Sequence, residues 1–420
     1  MRPMVIRDPI HGDINLRPLE ARVLDLPDVQ RLRGIKQLGT ASLVYPGCVH
    51  TRFDHSLGAC AMAHGIIASL RDHGATIDDE LETAIGCAAL LHDVTHVPFG
   101  HTLEDERRLF PRHDKGARLA HMLGGALGDQ LSQLGIKATI AALLGAQSTP
   151  DVPRWAQQIV ASTIDADLLD YLRRDAYFAG LNQDYDDRVF RYFTVDEGQL
   201  AINMTKHGME RPDARSETVA LLRLRYFLTE RVYYHHSKVA AGAMVSKAVE
   251  LALPLGITDA SLLTYNDWTL IEALGRLPDA GIQNLIERLR RRALYKRGYA
   301  ISARTVGEDD RARLVAQYHE SPPVRAAAEA ALARAVGCQA HELIIYCPAL
   351  TVMKEAAVLV RRPSGLAPLN QEADGGGSEI TALEARYAGL WRLYVLVPAE
   401  FAASAAAAAR EMFGVASEFN

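Results

Sequence analysis

A chain of 420 residues has room for one large domain with appendages or for two domains, and 49% apolar residues with a formal net charge of −5 leave no basic footprint for nucleic acid. Five cysteines (Cys48, Cys60, Cys87, Cys338 and Cys347), odd in number and without a Cys-x-x-Cys pair, argue against a disulfide framework or a zinc ribbon and for a reducing compartment. No apolar signal core is visible at the N-terminus and no apolar stretch is long enough to span a bilayer, so the sequence reads as cytoplasmic, with no membrane partner.

In chain order, Asp8-Pro9-Ile10-His11-Gly12 is a turn signal, followed by short helical patterns at Leu19–Leu26 and Val29–Leu38. Apolar residues recur at helical spacing from Ser56 to Leu70. A second helix, from about Asp79 to His92, is apolar almost all round and belongs in a core. Further helices are predicted at Gly116–Leu123, Asp129–Leu144, Arg154–Tyr177 and Glu217–Leu253, with a hairpin at Tyr192–Asn203 turning at Glu197-Gly198. Beyond residue 335 the composition shifts to strand-like runs at Leu343–Cys347, Ala357–Val360 and Trp391–Val397. Ala-rich helices at Ala326–Ala335 and Ala402–Met412 flank them, and Asp374–Ser378 reads as a Gly-rich loop. The expectation is a mainly α chain: a helical body over residues 1–300 and a small α+β lobe over 301–420.

The chemistry concentrates in three places: Arg52-Phe53-Asp54-His55, His92-Asp93 with His96 and His101 behind it, and Asp165-Ala166-Asp167. His55, His92, Asp93 and Asp167 are neutral nitrogen and anionic oxygen donors able to hold a divalent metal. Four side chains leave coordination positions open for water and phosphate oxygens, the layout of a hydrolytic site. A single histidine is more often a hydrogen-bonded core residue, and the second His-Asp pair, His113-Asp114, is of a kind chance supplies. The weighting changes when Arg52, His55, His92, Asp93, His96, His101 and His113 crowd between apolar helices, where unshared charge is costly.

The pattern His55, His92-Asp93, Asp167 resembles the HD-domain metal-dependent phosphohydrolase superfamily. The longer wording, including Asp8–Gly12, Gln30–Gly39, Tyr45-Pro46-Gly47, Arg52–Gly58 and His92–His101, is similar to its deoxynucleoside triphosphate triphosphohydrolase branch. The resemblance implies a helical HD core with His55, His92, Asp93 and Asp167 ligating Mn, Fe or Mg. It implies that Gln37, Leu38 and Arg52 line the sugar and α-phosphate, that Tyr171 and Asp175 complete the sugar pocket, and that Arg225 and Tyr233 contact phosphate and sugar. His96, Glu104 and His113 would handle protons near the leaving oxygen. The implied reaction is attack of metal-activated water on the α-phosphorus, giving a deoxynucleoside and triphosphate, in a homo-oligomer open to a nucleotide effector.

Two positions depart from the family wording. Leu168 stands where vertebrate-type members carry a lysine on the polyphosphate, a contact worth roughly 1–3 kcal/mol; the substrate then carries fewer phosphates, or His236 or Lys238 replaces the cation. Arg7 stands where the effector site uses a small amide, although Asp25, Gln30 and Arg33 match the rest. The competing readings are an HD-type nucleotidase, phosphodiesterase or single-strand nuclease, and a catalytically silent nucleotide sensor. Neither a Gly-x-Ser-x-Gly elbow nor a Walker-type or Gly-x-Gly-x-x-Gly loop supports another enzyme class.

Overall fold

The computed structural model describes residues 4–112, 116–147, 149, 151–371 and 377–418. Strands β1 (Met4–Asp8) and β2 (Gly12–Leu16) form an antiparallel hairpin across the Asp8–Gly12 turn. Helices α1 (Pro18–Leu24), α2 (Pro27–Arg31), α3 (Arg52–Asp72), α4 (Asp79–Leu91), α5 (Ala117–Leu123), α6 (Ala126–Gln133), α7 (Lys137–Leu143), α8 (Arg154–Val160) and α9 (Ala166–Phe178) follow. Next come β3 (Phe193–Asp196) and β4 (Gln199–Asn203), the short pair β5 (Thr205–Lys206) and β6 (Met209–Glu210), α10 (Pro212–Leu228) and α11 (His236–Ala252). Helices α12 (Asp259–Leu262), α13 (Asp267–Gly275) and α14 (Ala280–Arg290) lead to β7 (Lys296–Ser302), α15 (Glu308–Leu314), α16 (Pro322–Val336) and β8 (Ile344–Tyr346). The chain finishes with β9 (Leu359–Arg362), β10 (Gly365–Pro368), α17 (Gly377–Ala388), β11 (Arg392–Val397) and α18 (Ala402–Phe413). The protein is mainly α, with small sheets and an α+β lobe towards the C-terminus.

Three predicted long helices are each broken, and local chemistry breaks them. Asp129–Leu144 divides into α6 and α7 around Gly135. Arg154–Tyr177 divides because Asp165 adopts extended backbone and caps α9, its Oδ1 accepting from the Leu168 N–H at 2.8 Å. Glu217–Leu253 becomes α10 and α11 with a wide turn, Thr229–Tyr233, between them. The hairpin turns at Glu197 and Gly198, both at positive φ, as the Glu-Gly pair implied. Of the Gly-rich loop, Gly377 and Ser378 open α17 and residues 374–376 lie outside the described residues.

The largest core packs around α3, α4 and α9, with Phe53, Leu57, Leu90, Leu169 and Leu172 buried. Strand β11 pairs antiparallel with β7 on one side and β8 on the other. Along β11, Leu393, Val395 and Val397 face a core with α16 and α18, while Tyr394 and Leu396 face the core around α11 and α14. Burial on both faces at period two explains why these strands read as continuous apolar runs. Strand β9 pairs in parallel with β4, tying the segment after Tyr346 to the body beside α8, whose Gln158 accepts from the Leu200 N–H of β4.

Candidate metal centre

Local capping places each donor. Thr51 caps α3, accepting from the Asp54 N–H while Asp54 accepts from the Thr51 N–H at 2.7 Å, so Arg52 and His55 share the first turn. Helix α4 stops at Leu91 and His92, still in helical backbone, is its C-cap, so His92 and Asp93 stand at the helix end. His92 Nδ1 donates to the Ala89 carbonyl at 2.7 Å. The Asp165 cap puts Asp167 in the first turn of α9.

The structure brings these side chains together. His55 Nε2 lies 3.2 Å from His92 Nε2, 3.0 Å from Asp167 Oδ1 and 3.7 Å from Asp93 Oδ2. His92 Nε2 lies 3.5 Å from Asp93 and 3.9 Å from Asp167. His55 is fully buried, whereas the Asp167 side chain is 40% exposed, so the cluster opens to solvent on the Asp167 side.

The donor set fits a cation on tautomer grounds. His92 Nδ1 faces a carbonyl and His55 Nδ1 faces Asp170 Oδ2 at 2.7 Å, both acceptors, so both Nδ1 atoms carry the proton of a neutral ring. Two unprotonated Nε2 lone pairs then confront each other beside two carboxylates, and only a proton or a metal ion between them relieves the repulsion. With a proton alone, burial pulls the His55 pKa down, but hydrogen bonds to Asp167 and Asp170 raise it to about 10. Burial likewise opposes charge on Asp93, yet Arg52, His92 and His96 hold its carboxyl well below the usual range.

A supporting shell surrounds the donors. Arg174 grips Asp170 at 2.8 and 2.9 Å and reaches Asp8 at 2.9 Å, while His11 Nε2 sits 2.6 Å from Asp170 Oδ1. Asp8 and His11 thus do more than mark a turn: they buttress the carboxylate that orients His55. Their roles were hidden because the partner lies 159 residues away from His11.

The remaining predicted residues fall into three groups and one exception. Arg52 donates to Asp93 at 2.7 Å and keeps a buried Nε without a hydrogen-bond partner; Gln37 likewise has an unsatisfied buried Oε1. Gln37 is held beside Arg52 by the bridge Lys36–Thr51, and Leu38 is partly buried against the main core. Arg225 lies over the rings of Tyr171 and Tyr233, 5.2 Å from each centroid, and Tyr233 donates to Asp175 at 2.6 Å. His50 bonds the other Asp175 oxygen at 2.8 Å, a partner the sequence reading missed. His96 lies 3.1 Å from Asp93 and edge-on to His101, which approaches Glu104; Glu104 also pairs with Arg118. His113 lies outside the described residues.

Leu168 is 4% exposed, so this helix position faces the core and not the open side of the cluster. His236 stacks on His235, and burial with Arg297 and His235 nearby lowers its pKa to about 4. Lys354, exposed on the segment before β9, is the cation whose charge bears on Asp165 at the start of α9.

Residues 52–175 match the HD domain and residues 193–420 match the HD associated region, and the chain belongs to the HD-domain family. An uncharacterized protein of Methanocaldococcus jannaschii is 34% identical over 302 residues, covering 70% of this chain and 58% of its own length. The deoxynucleoside triphosphate triphosphohydrolase SAMHD1 of Xenopus laevis is 28% identical over 293 residues, covering 60% of this chain and 45% of its own. The chain therefore spans only about half the length of these relatives. A phosphohydrolase crystal structure from Bacteroides thetaiotaomicron shares the fold with a TM-score of 0.70 at 23% identity, over 94% of this chain and 99% of that one. No helix among the described residues is long and apolar enough to cross a membrane.

Proposed function

We propose that this HD phosphohydrolase converts dNTPs to deoxynucleoside and triphosphate at a divalent ion, Mn, Fe or Mg, held by His55, His92, Asp93 and Asp167. The observation that carries the reading is the pair of Nε2 atoms facing each other at 3.2 Å, flanked by two carboxylates of which Asp167 is open to solvent. The relatives named as dNTP triphosphohydrolases support the substrate class.

Such an ion lowers the pKa of a water towards neutrality and polarises phosphoryl oxygens. Arg52, anchored on Asp93, offers its remaining N–H groups to the α-phosphate. Gln37 and Leu38 line the sugar, and Tyr171, Asp175, Arg225 and Tyr233 form the opposite wall. Arg225, backed by Glu355 at 3.5 Å, presents charge to the phosphates. One bond forms, from water oxygen to the α-phosphorus, and one breaks, from that phosphorus to the 5′-oxygen. In this reading His96, 3.1 Å from Asp93, protonates the departing oxygen, and Glu104, which His101 approaches, and His113 belong to the same proton-handling set. The cation assigned in place of a lysine at Leu168 is His236 or Lys238, with Lys354, whose charge bears on Asp165, as a further candidate. Homo-oligomerisation and a nucleotide effector belong to the same reading.

The buried Leu168 favours one second reading, a nucleotidase, phosphodiesterase or single-strand nuclease on the same HD centre. Mn-loaded protein incubated separately with each dNTP, each nucleoside monophosphate and a single-stranded oligonucleotide separates the two. Triphosphate release supports the first. Turnover of the other substrates with dNTPs intact, with and without a second nucleotide as activator, replaces it.

A further inference from the structure

A second group of ligand atoms lies away from the HD centre, between α1, α3 and α4. Glu20 Oε1, Cys60 Sγ and His64 Nε2 all fall within 4.8 Å of one another. Cys60 and His64 are one turn apart on α3, and His64 is nine residues beyond His55, about 13 Å along the axis. The two groups share a helix and no ligand.

His64 is the informative residue. Its Nε2 lies 2.8 Å from Glu20 Oε1 and its Nδ1 lies 3.0 Å from Glu82 Oε1. Carboxylates only accept, so a neutral imidazole with one proton leaves one of these contacts unsatisfied. Either the ring is an imidazolium or a metal ion takes the place of one proton.

The surroundings are built as a ligand shell is built. Glu82 is held at 2.5 Å by both Arg17 and Arg71, which fixes it as the acceptor for His64 Nδ1. A carboxylate behind the far nitrogen orients most metal-binding histidines and raises their basicity. Glu20 Oε2 accepts from the Arg17 N–H at 2.8 Å, which leaves Oε1 aimed at His64. On α4, a Cβ at Gly86 would lie 2.1 Å from Glu20 Oε1 and 3.1 Å from His64 Nε2, so only glycine leaves the cradle open. A cavity of about 470 Å³ lies beside the cluster, lined by Arg17, Ala61, His64 and Glu82 among others.

We infer that Glu20, Cys60 and His64 form a second metal site, with Glu82 as the orienting carboxylate. Thiolate and imidazole donors select Zn²⁺ or Co²⁺ over the harder ions suited to a carboxylate-rich centre. Charge balances in the exchange: the Cys60 thiol proton and the extra His64 proton leave as one divalent ion enters.

The test uses the full chain, stripped with chelator and titrated with Co²⁺, as wild type, Asp167→Ala, Cys60→Ser and Glu82→Gln. No cysteine belongs to the HD centre, so a thiolate-to-cobalt charge-transfer band reports this site alone. The expected result is that band in wild type and in Asp167→Ala, its loss in Cys60→Ser, and about 10–100-fold weaker binding in Glu82→Gln. Zn²⁺-loaded wild type should hold about two ions per chain, and Asp167→Ala about one. A wild type with no such band, or a band that survives Cys60→Ser, overturns the inference.

Discussion

At the scale of single residues, the HD centre depends on a carboxylate that is not one of its proposed ligands. Asp167 and Asp170, one turn apart on α9, grip opposite nitrogens of the His55 ring at 3.0 and 2.7 Å. Burial would raise the Asp170 pKa, but Arg174, His11 and His55 hold it well below the usual range, so it stays an acceptor. Replacing Asp170 by Asn removes the charge that fixes the His55 tautomer. The expected outcome is about 10–100-fold weaker metal binding with the fold retained, read by metal titration and circular dichroism. Asp167→Ala should remove the metal from this centre and the activity together. The four proposed ligands and Arg52 were legible in sequence because donor chemistry and short motifs mark them. Asp170 and Arg174 were not, because they sit in an ordinary acidic and basic helix run. Only the packing of α9 on α3 gives them their partner.

At the scale of elements, that packing hinges on Gly58, where a Cβ would stand 1.8 Å from Asp170 Oδ1. Gly58→Ala should force α3 and α9 apart, lower stability by about 1–3 kcal/mol and weaken metal binding at the same time, measured by denaturant titration with and without Mn. A second element-level prediction concerns Glu106 in the turn Thr102–Glu106, which packs against α11. Burial raises its pKa to about 8, opposed by Lys238, Ser246 and Arg107 and assisted by Asp105. A carboxyl with a raised folded pKa binds its proton more tightly in the native state, so stability falls as pH rises from the ordinary value of 4.5 towards about 8. Glu106→Gln should therefore be more stable than wild type at pH 8 and gain little at pH 4, compared by thermal melts. Helix existence was legible from apolar periodicity, as α3 and α4 show. The breaks at Asp165 and at Thr229–Tyr233 were not, since a cap or a wide turn leaves the apolar pattern unbroken.

At the scale of the whole molecule, a buried ion network joins the turn after the HD motif to the C-terminal segment. Arg107 meets Glu329 of α16 at 2.7 and 3.0 Å and Glu250 of α11 at 2.5 Å, and Lys247 reaches Glu329 at 2.7 Å. The Ile345 N–H of β8 donates to the same Glu329 carboxylate at 2.9 Å. Burial penalises that charge, but Arg107 and Lys247 hold the Glu329 pKa at about 2. Its stabilisation is present above the ordinary carboxylate value of 4.5 and is lost as pH falls towards about 2. Glu329→Ala leaves two buried cations short of a partner and should cost about 3–5 kcal/mol, with a correspondingly smaller loss on acidification than wild type, followed by denaturant titration across pH. Such a network spans residues 107 to 329 and no local pattern announces it. The segment beyond β8 then carries Glu355 to Arg225 at 3.5 Å and Lys354 to within electrostatic reach of Asp165.

The central claim is that this cluster directs water onto the α-phosphorus of a dNTP. The direct measurement is hydrolysis of each dNTP by Mn-loaded protein in ¹⁸O-water, with products resolved by mass spectrometry. Intact inorganic triphosphate carrying the heavy oxygen, with an unlabelled deoxynucleoside and no product from Asp167→Ala, is the result expected. Label in the nucleoside, release of monophosphate or pyrophosphate instead, or no turnover of any dNTP with a second nucleotide present would contradict it.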